Sequence, residues 1–286
     1  MENDSIINRI VEDALREDLG GGDVTTDSIV SPEQQGHAVL LVKEDGVIAG
    51  LEICAYVFYR IDPELDWVVK HQDGEYVQTG TIVAELSGSL ASILKAERTA
   101  LNILQRMSGI ATLTHRFVQL VEGTSAKIID TRKTVPGLRI LDKMAVLLGG
   151  GANHRFGLDD MVLIKDNHIE AAGGISQAIE KCLTELRRRE LDIKIEVETK
   201  NLDEVTIALQ HKGIHRIMLD NFSLEETRKA VALINHTVEV EASGNVNVNT
   251  IRAIAETGVD FISVGALTHS AKALDISLNV TIQSPS

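Results

Sequence analysis

The amino-acid sequence predicts an α/β protein, an open (incomplete) α/β barrel with an N-terminal α+β sandwich domain. Two observations predict this fold. In the second half, short β-branched segments alternate with amphipathic helical segments, as in parallel strands joined by helical crossovers. In the first 110 residues, strands and helices are mixed without that alternation. We therefore expect an N-terminal domain over residues 1–110 and a barrel over residues 111–270, with the tail, residues 270–286, packing back on the first domain.

The N-terminal domain is predicted to begin with a helix over Ile6–Leu15 and a glycine-rich loop that contains Gly20–Asp23 and Thr25–Thr26. Its remaining elements are a helix at about Leu51–Tyr59 and strands around His37–Lys43, Trp67–His71 and Thr81–Leu86. Two further helices, Leu90–Met107 and Thr112–Val121, are predicted to join it to the barrel.

The segment Gly74–Gly80 followed by Ile82–Ala84 is similar to the hairpin of biotinyl and lipoyl carriers. Such carriers need a lysine at the turn, and none is nearby. We interpret the segment as a structural hairpin, which disfavours a non-enzymatic function as a carrier module.

Six strands are predicted in the second half, at 126–132, 161–167, 193–199, 215–221, 238–244 and 261–266. The helix after the second strand shows one apolar stripe from Ile175 to Leu186. Two later helices begin with capping boxes at Asn201 and Ser223, and another ends at Gly258. Six strands are too few for a closed barrel of eight. We favour an open barrel over a doubly wound sheet, because a barrel gathers its chemically similar strand ends at one mouth.

The composition is that of a globular protein, with 44% apolar and 24% charged residues. A net charge of −14 argues against nucleic-acid binding, which needs a basic face. No apolar run reaches the roughly 18 residues that cross a bilayer, and the acidic start does not look like a secretory signal. We interpret Cys54 and Cys182 as core thiols and expect a cytoplasmic protein without a membrane partner.

Basic residues are concentrated between residues 126 and 168, a stretch that contains seven lysines and arginines and five aspartates. Five possible cations fall at the predicted barrel mouth: Arg132, Lys133, His154, Arg155 and Lys165. Cations aimed at one mouth repel each other, and a polyanionic ligand would offset the repulsion. Arginine forks suit carboxylates and phosphates. The alternative is that these residues form salt bridges with Asp130, Asp142 and Asp166.

The other strand ends carry acidic and glycine-rich motifs. Glu198 and Asp220 could bind ribose hydroxyls, hold Mg²⁺ or act as general acid and base, or they could neutralise Lys133 and Lys165. Ser243-Gly244-Asn245 and Gly265-Ala266 could bind phosphate through backbone amides at helical turns, or be plain tight turns. No HxxxH or HxH spacing supports a zinc site.

Seven segments of the chain match motifs of a known family, in the same order. The motifs are Leu15–Thr26, Ala96–Ile110, Asp130–Thr134, Gly149–Leu158, Ile164–His168, Leu219–Phe222 and Glu241–Gly244. Over nearly its whole length the chain resembles the quinolinate phosphoribosyltransferases. The resemblance implies an N-terminal sandwich beside an open barrel of seven strands.

The resemblance also implies the reaction, in which quinolinate and phosphoribosyl pyrophosphate give nicotinate mononucleotide, pyrophosphate and CO₂ in NAD biosynthesis. Arg132, His154, Arg155 and Lys165 would clamp the quinolinate carboxylates, and Arg98 would enter from the neighbouring subunit of an obligate homodimer. Lys133, with Thr134 of the same motif, would face the pyrophosphate. Glu198 and Asp220 would hold the ribose hydroxyls with Mg²⁺. The 5′-phosphate would be bound by Ser243, Gly244, Asn245, Gly265 and His269, although Asn245 stands where the family often has a second glycine.

Two other enzymatic readings stay open on the sequence. One is a paralogous pyrophosphorylase of the same fold that acts on another aromatic acid or base. The other is a barrel lyase with a Schiff base on Lys165, which is less natural because the neighbouring arginines and Asp166 do not form an apolar pocket.

Overall fold

The structure, a computed structural model, describes residues 2–282. The first part of the chain forms α1 (Glu2–Leu19), α2 (Val24–Ile29), β1 (Gln35–Val42), β2 (Gly46–Val47), α3 (Leu51–Ile61), β3 (Asp66–Val69), β4 (Tyr76–Val77), β5 (Ile82–Ser89) and α4 (Leu90–Leu120). The middle forms β6 (Lys127–Ile129), α5 (Arg139–Leu148), β7 (Val162–Ile164), α6 (Asp166–Ala172), α7 (Ile175–Arg188), β8 (Ile195–Thr199) and α8 (Leu202–Leu209). The last part forms β9 (Arg216–Asp220), α9 (Leu224–Ile234), β10 (Glu239–Ser243), α10 (Ile251–Ala255), β11 (Phe261–Ser263), α11 (Ala266–His269) and β12 (Ile276–Ile282).

The described residues form two compact units. Unit 1 contains the chain up to His115, the segment Thr134–Gly150 and the chain from Leu267 onward. Unit 2 contains Arg116–Lys133 and Gly151–Ala266. The segment Thr134–Gly150, which we placed in the barrel domain, thus clusters with unit 1. The predicted domain boundaries at residues 110 and 270 stay predictions.

Unit 1 is built on an antiparallel sheet with the strand order β12-β1-β5-β3. Strand β1 alternates buried and more exposed residues, with Ala38, Leu40 and Val42 in the core. This period of two is what a sheet with one covered face requires. Helix α3 buries the apolar side chains Ile53 and Phe58. The C-terminal strand β12 completes the sheet through its pairing with β1.

Helix α4 runs without interruption from Leu90 to Leu120, so the prediction of two helices in this region was wrong. The predicted break between the two helices covers residues 108–111, which include Gly109. Gly109 does not end the helix. It lies where the backbone of Lys272 packs closely against the helix. A Cβ at Gly109 would lie 2.0 Å from the carbonyl oxygen of Lys272. The glycine permits this close backbone approach at a cost in helix propensity.

Two further predictions for unit 1 need correction. Thr25 and Thr26 lie in the short helix α2 and not in a loop, because Asp23 caps it by accepting hydrogen bonds from both backbone amides. The segment Gly74–Gly80 does not form a hairpin with the strand that follows. Its strand β4 pairs with β2 instead, through Gly46 and Val47.

Unit 2 contains a six-stranded parallel sheet with the order β6-β11-β10-β9-β8-β7. All six strands predicted for the second half are confirmed. Strands β6 and β7 are its two edges and do not pair with each other among the described residues, so the sheet is open as predicted. The seventh strand implied by the resemblance is absent from residues 2–282. Ala152 makes only an isolated parallel bridge with Ile129.

The register of unit 2 places charged residues on one face of the sheet. Glu196 pairs with Arg216, and Arg216 with Glu239. Glu198 lies opposite Met218, which lies opposite Glu241. Neighbours in register share a face. The residues that alternate with them are apolar and buried: Ile195, Val197, Ile217, Leu219, Val240 and Ala242.

The helix caps were also predicted from the sequence. Ser223 and Glu226 form the reciprocal capping box at the start of α9. The side chain of Asn201 accepts a hydrogen bond from the backbone N–H of Glu204 at 2.9 Å. The side chain of Glu204 accepts from the backbone N–H of Lys200 and not from that of Asn201, so this cap is not reciprocal. None of the helices in residues 2–282 combines the length and apolar character of a membrane span.

Candidate active site

The carboxyl ends of three neighbouring strands in unit 2 carry the predicted polar residues. Glu198 lies near the end of β8, Asp220 is the last residue of β9, and Ser243 is the last residue of β10. Asp220 and Ser243 are paired in register, and the amide of Asn221 donates to the carbonyl of Ser243 at 2.9 Å. The carboxyl ends of β8, β9 and β10 therefore lie side by side along one edge of the sheet.

Lys165 and Glu198 form an ion pair at this edge. The ammonium of Lys165 lies 3.0 Å from Oε2 of Glu198, with 45% and 12% of the side chains exposed. The alternative in which Glu198 neutralises a lysine is thus realised. Because the lysine is nearly half exposed, the pair contributes little to stability.

Two guanidinium groups lie near each other beside the β6 end of the sheet. Arg155 donates to the carbonyl of Met161 at 3.1 Å. Its pKa is lowered, first by partial burial and then by the positive charge of Arg132. The Nε of Arg132 is buried and has no hydrogen-bond partner among the described residues. A pair of like charges with an unused donor is the kind of arrangement that an anion stabilises.

The adjacent loop is held by a buried aspartate. The fully buried Asp130 accepts the backbone N–H of His154 at 2.8 Å. Its own backbone N–H donates to the carbonyl of Ala152, whose N–H donates to Ile128. Asp130 is therefore used in shaping this loop. Asp142, another of the three aspartates in the alternative of salt bridges, instead accepts two hydrogen bonds from Arg106.

The imidazole of His154 does not project into solvent. Only 6% of this side chain is exposed, and its Nε2 lies 2.9 Å from Glu196 and 3.5 Å from Glu241. Both glutamates are fully buried. We call His154, Glu196, Glu241 and Arg216 the buried charge cluster.

Arg216 supplies the fixed positive charge of this cluster. Its guanidinium lies 2.9 Å from Glu241 and 3.0 Å from Glu239. The same group stacks over the ring of Phe261, with 3.9 Å between the guanidinium carbon and the ring centroid. Ion pairing and cation–π contact thus hold Arg216 in place.

The cluster shifts the pKa of its members. Burial followed by the charge of Glu241 raises the pKa of Glu196 to about 7. Burial opposes a charge on His154, but the hydrogen bonds to the two glutamates outweigh it and raise its pKa to about 9. Nδ1 accepts the backbone N–H of Arg155 at 2.7 Å, a contact that opposes the charge favoured by the two glutamates. On the other side of the ring, Nε2 lies 2.9 Å from Glu196.

The turn after β10 is left-handed at successive residues. Gly244 has a φ of +95° and Asn245 a φ of +52°. Asparagine tolerates this conformation better than other non-glycine residues, which explains how it can replace the second glycine. Its amide also donates to Oδ1 of Asn221 at 3.0 Å. Gly265 follows β11 and is succeeded by the short helix α11.

The other predicted residues occupy less constrained positions. In unit 1, Arg98 is exposed on α4, and Thr134 accepts a hydrogen bond from Nε of Arg139 at 3.1 Å. His269 is exposed at the end of α11. In unit 2, Lys133 is exposed and its backbone N–H donates to Thr131 at 3.0 Å.

The buried charge cluster is not among the predictions from the sequence. Glu196 falls on the third predicted barrel strand without a role, Glu241 enters only as the first residue of a family motif, and Arg216 has no predicted role. One pattern in the sequence points to it: two predicted strands each carry glutamates two residues apart, and such glutamates are buried when both faces of the sheet are covered. Which residue of each neighbouring strand lies beside them is known only from the strand register in the structure.

Comparisons with known proteins agree over the whole fold. A family model for the C-terminal domain of quinolinate phosphoribosyl transferase matches residues 110–279, and one for the N-terminal domain matches residues 23–108. The chloroplastic carboxylating nicotinate-nucleotide pyrophosphorylase of Arabidopsis thaliana is 45% identical, covering 96% of this chain and 82% of that protein. The probable carboxylating enzyme of that name from Synechocystis is 43% identical, covering 96% and 92%. The nicotinate-nucleotide pyrophosphorylase structure from Francisella tularensis matches with a TM-score of 0.92 at 42% identity, covering 98% and 97%.

Proposed function

Because this chain belongs to the quinolinate phosphoribosyltransferase family, we propose that it transfers the phosphoribosyl group of phosphoribosyl pyrophosphate to quinolinate. The products are nicotinate mononucleotide, pyrophosphate and CO₂. The observation that carries this proposal is the pair of incompletely compensated guanidinium groups, Arg132 and Arg155, beside strand ends that hold Lys165, Glu198 and Asp220. A dicarboxylate supplies the negative charge that this arrangement lacks.

The residues divide into four groups by the substrate part they would bind, and one of these, Glu198 and Asp220, is for the ribose. Arg132, Arg155 and Lys165 bind the carboxylates of quinolinate, with His154 set behind them. Lys133 faces the departing pyrophosphate. Ser243, Gly244, Asn245 and Gly265 bind the 5′-phosphate. The left-handed turn at Gly244 and Asn245 supports the last role, because successive amides in such turns can converge on an anion.

Glu198 and Asp220 are the proposed groups for the ribose and for Mg²⁺. They lie near the ends of adjacent strands and offer only oxygen ligands, which fits the preference of this ion. Bound Mg²⁺ would neutralise charge on the pyrophosphate. The two carboxylates themselves stabilise the positive charge that develops on the ribose in the transition state.

The reaction needs no nucleophile from the protein. The pyridine nitrogen attacks C1 of the ribose as the bond to pyrophosphate breaks. The ring is then positively charged and accepts the electron pair released when the 2-carboxylate leaves as CO₂, and the ring carbon takes up a proton. A Schiff base on Lys165 is disfavoured by the carboxylate of Glu198 at 3.0 Å.

We also propose a homodimer in which Arg98 completes the site of the neighbouring subunit. Its exposure on α4 is consistent with a contact to a second copy. We propose a cytoplasmic location as well. This is supported by Cys54 and Cys182, which are both free thiols and suit a reducing compartment.

The experiment that tests the proposed function offers the purified protein phosphoribosyl pyrophosphate and Mg²⁺ with quinolinate or with nicotinate. We expect nicotinate mononucleotide from quinolinate, detected by chromatography, and much slower turnover of nicotinate, which has one carboxylate fewer. Preferential turnover of nicotinate or of another aromatic acid would show a different pyrophosphorylase. No turnover of any acid by folded protein would contradict the proposal.

A further inference from the structure

The buried charge cluster is unusual because its charges are costly where they lie. Glu196 and Glu241 are both fully buried in the sheet of unit 2. Desolvating ionised groups opposes their mutual attraction, so apolar residues of similar volume often stabilise a fold equally well or better. Stability alone therefore does not explain two carboxylates at these positions.

The cluster is linked to the proposed quinolinate site by a short chain of contacts. Oε2 of Glu196 lies 2.9 Å from Nε2 of His154. Nδ1 of the same ring accepts the backbone N–H of Arg155 at 2.7 Å. The guanidinium of Arg155 is itself held by a hydrogen bond that it donates to the backbone carbonyl of Met161. Both ring nitrogens of His154 are thus engaged within the protein, and Arg155 is the next residue that can contact a ligand.

We propose that Glu196 and Glu241 are positioning residues for the quinolinate subsite, which hold the ring of His154 and thereby set the backbone and guanidinium of Arg155. The proposal rests on the proposed function for the identity of the ligand. Oε2 of Glu196 is the nearer carboxylate oxygen to Nε2 at 2.9 Å, and Oε2 of Glu241 lies 3.5 Å from the same nitrogen. Arg216 holds Glu241 in that position at 2.9 Å.

The charges around His154 favour a proton over a metal ion between the imidazole and the two glutamates. A divalent ion could bridge three side chains here, because one ligand atom from each lies within 4.8 Å of the other two: His154, Glu196 and Glu241. The guanidinium of Arg216 already occupies the same oxygen of Glu241 and would repel that ion. A proton between His154 and Glu196 satisfies the observed 2.9 Å separation.

The test compares Glu196→Leu with Glu196→Gln. Leucine removes the acceptor, whereas the glutamine amide oxygen can still accept the Nε2 proton. We expect the KM for quinolinate to rise roughly 10- to 100-fold in Glu196→Leu, with the KM for phosphoribosyl pyrophosphate unchanged. Glu196→Gln should recover most of that loss. Glu239→Gln is the matched control, because Glu239 contacts Arg216 but not His154.

An unchanged quinolinate KM in Glu196→Leu would overturn the proposal, as would equal increases for both substrates. If Glu196→Leu does not fold, Glu241→Leu is measured in its place, because leucine removes the oxygen acceptor there too, and an unchanged quinolinate KM has the same meaning. One equivalent of metal that elemental analysis finds in the purified wild-type protein but not in Glu196→Gln would overturn the assignment of a proton. Wild-type turnover is measured first, so failure of the proposed function is recognised separately.

Discussion

Single residues of the candidate site show charges that the protein itself only partly compensates. Arg132 keeps a buried Nε without a partner among the described residues, and its charge lowers the pKa of Arg155. An arginine fork can bind a carboxylate through two parallel hydrogen bonds, which lysine cannot reproduce. The geometry of the fork therefore matters here, beyond its charge.

Arg132→Lys tests this geometry. We expect the KM for quinolinate to rise roughly tenfold or more, because one charge-assisted hydrogen bond is worth about 1.5–3 kcal/mol. The KM for phosphoribosyl pyrophosphate should stay within about twofold. Arg187→Lys on the exposed surface of α7 is the control, since Arg187 donates only to a helix carbonyl in the described structure. An unaltered quinolinate KM in Arg132→Lys would remove Arg132 from the carboxylate clamp.

At this scale the sequence predicted the types of residue but not their orientations. Basic residues at 132, 155 and 165 were identified from the motifs that contain them. The sequence did not predict that the His154 ring is buried, because this orientation depends on Glu196 and Glu241. These belong to strands more than 40 residues away along the chain and meet His154 only through the sheet register.

Among the elements, the turn after β10 is defined most sharply by backbone geometry. Gly244 has a φ of +95°, and a Cβ there would lie 2.2 Å from Oδ1 of Asn221. Gly244→Ala should lower the free energy of unfolding by about 1–3 kcal/mol and raise the KM for phosphoribosyl pyrophosphate. Gly80→Ala is the control, with a φ of +91° and nothing within 4 Å of the added Cβ. If both variants raise that KM equally, the turn has no special role in phosphate binding.

The close approach at α4 gives a second prediction for an element. Gly109→Ala would place a Cβ 2.0 Å from the backbone of Lys272, which cannot move away as a flexible side chain would. We expect a lower midpoint of thermal unfolding despite the better helix propensity of alanine. Asn102→Ala, at an exposed position of the same helix, should be neutral or stabilising. Equal midpoints for the two variants would mean that the Lys272 segment is free to shift.

The same contact shows why element boundaries were harder to predict than element types. All six parallel strands and the caps at Asn201 and Ser223 follow from local patterns, and the structure has them. The uninterrupted α4 does not follow, because the reason for Gly109 lies in a segment that is distant in sequence. The missing seventh strand was implied by the resemblance and not by the residues of this chain.

For the whole molecule, the proposed homodimer makes a quantitative prediction about mixed subunits. Arg98→Ala and Lys165→Ala should each be nearly inactive alone. If Arg98 acts in the neighbouring site, a mixed dimer has one site with both residues intact. Random mixing should then restore about a quarter of wild-type activity, measured after refolding the variants together. A mixture as inactive as its components would place Arg98 and Lys165 in the same subunit's site, or Arg98 outside any site.

The central claim is that this chain couples ribosylation of quinolinate to loss of its 2-carboxylate. The most direct measurement uses quinolinate labelled with ¹³C in that carboxylate, with phosphoribosyl pyrophosphate and Mg²⁺, and follows labelled CO₂ and nicotinate mononucleotide together. Our account predicts equal amounts of both products at every time point, and neither product without phosphoribosyl pyrophosphate. Mononucleotide that retains the label, or CO₂ released without the phosphoribosyl donor, would contradict it.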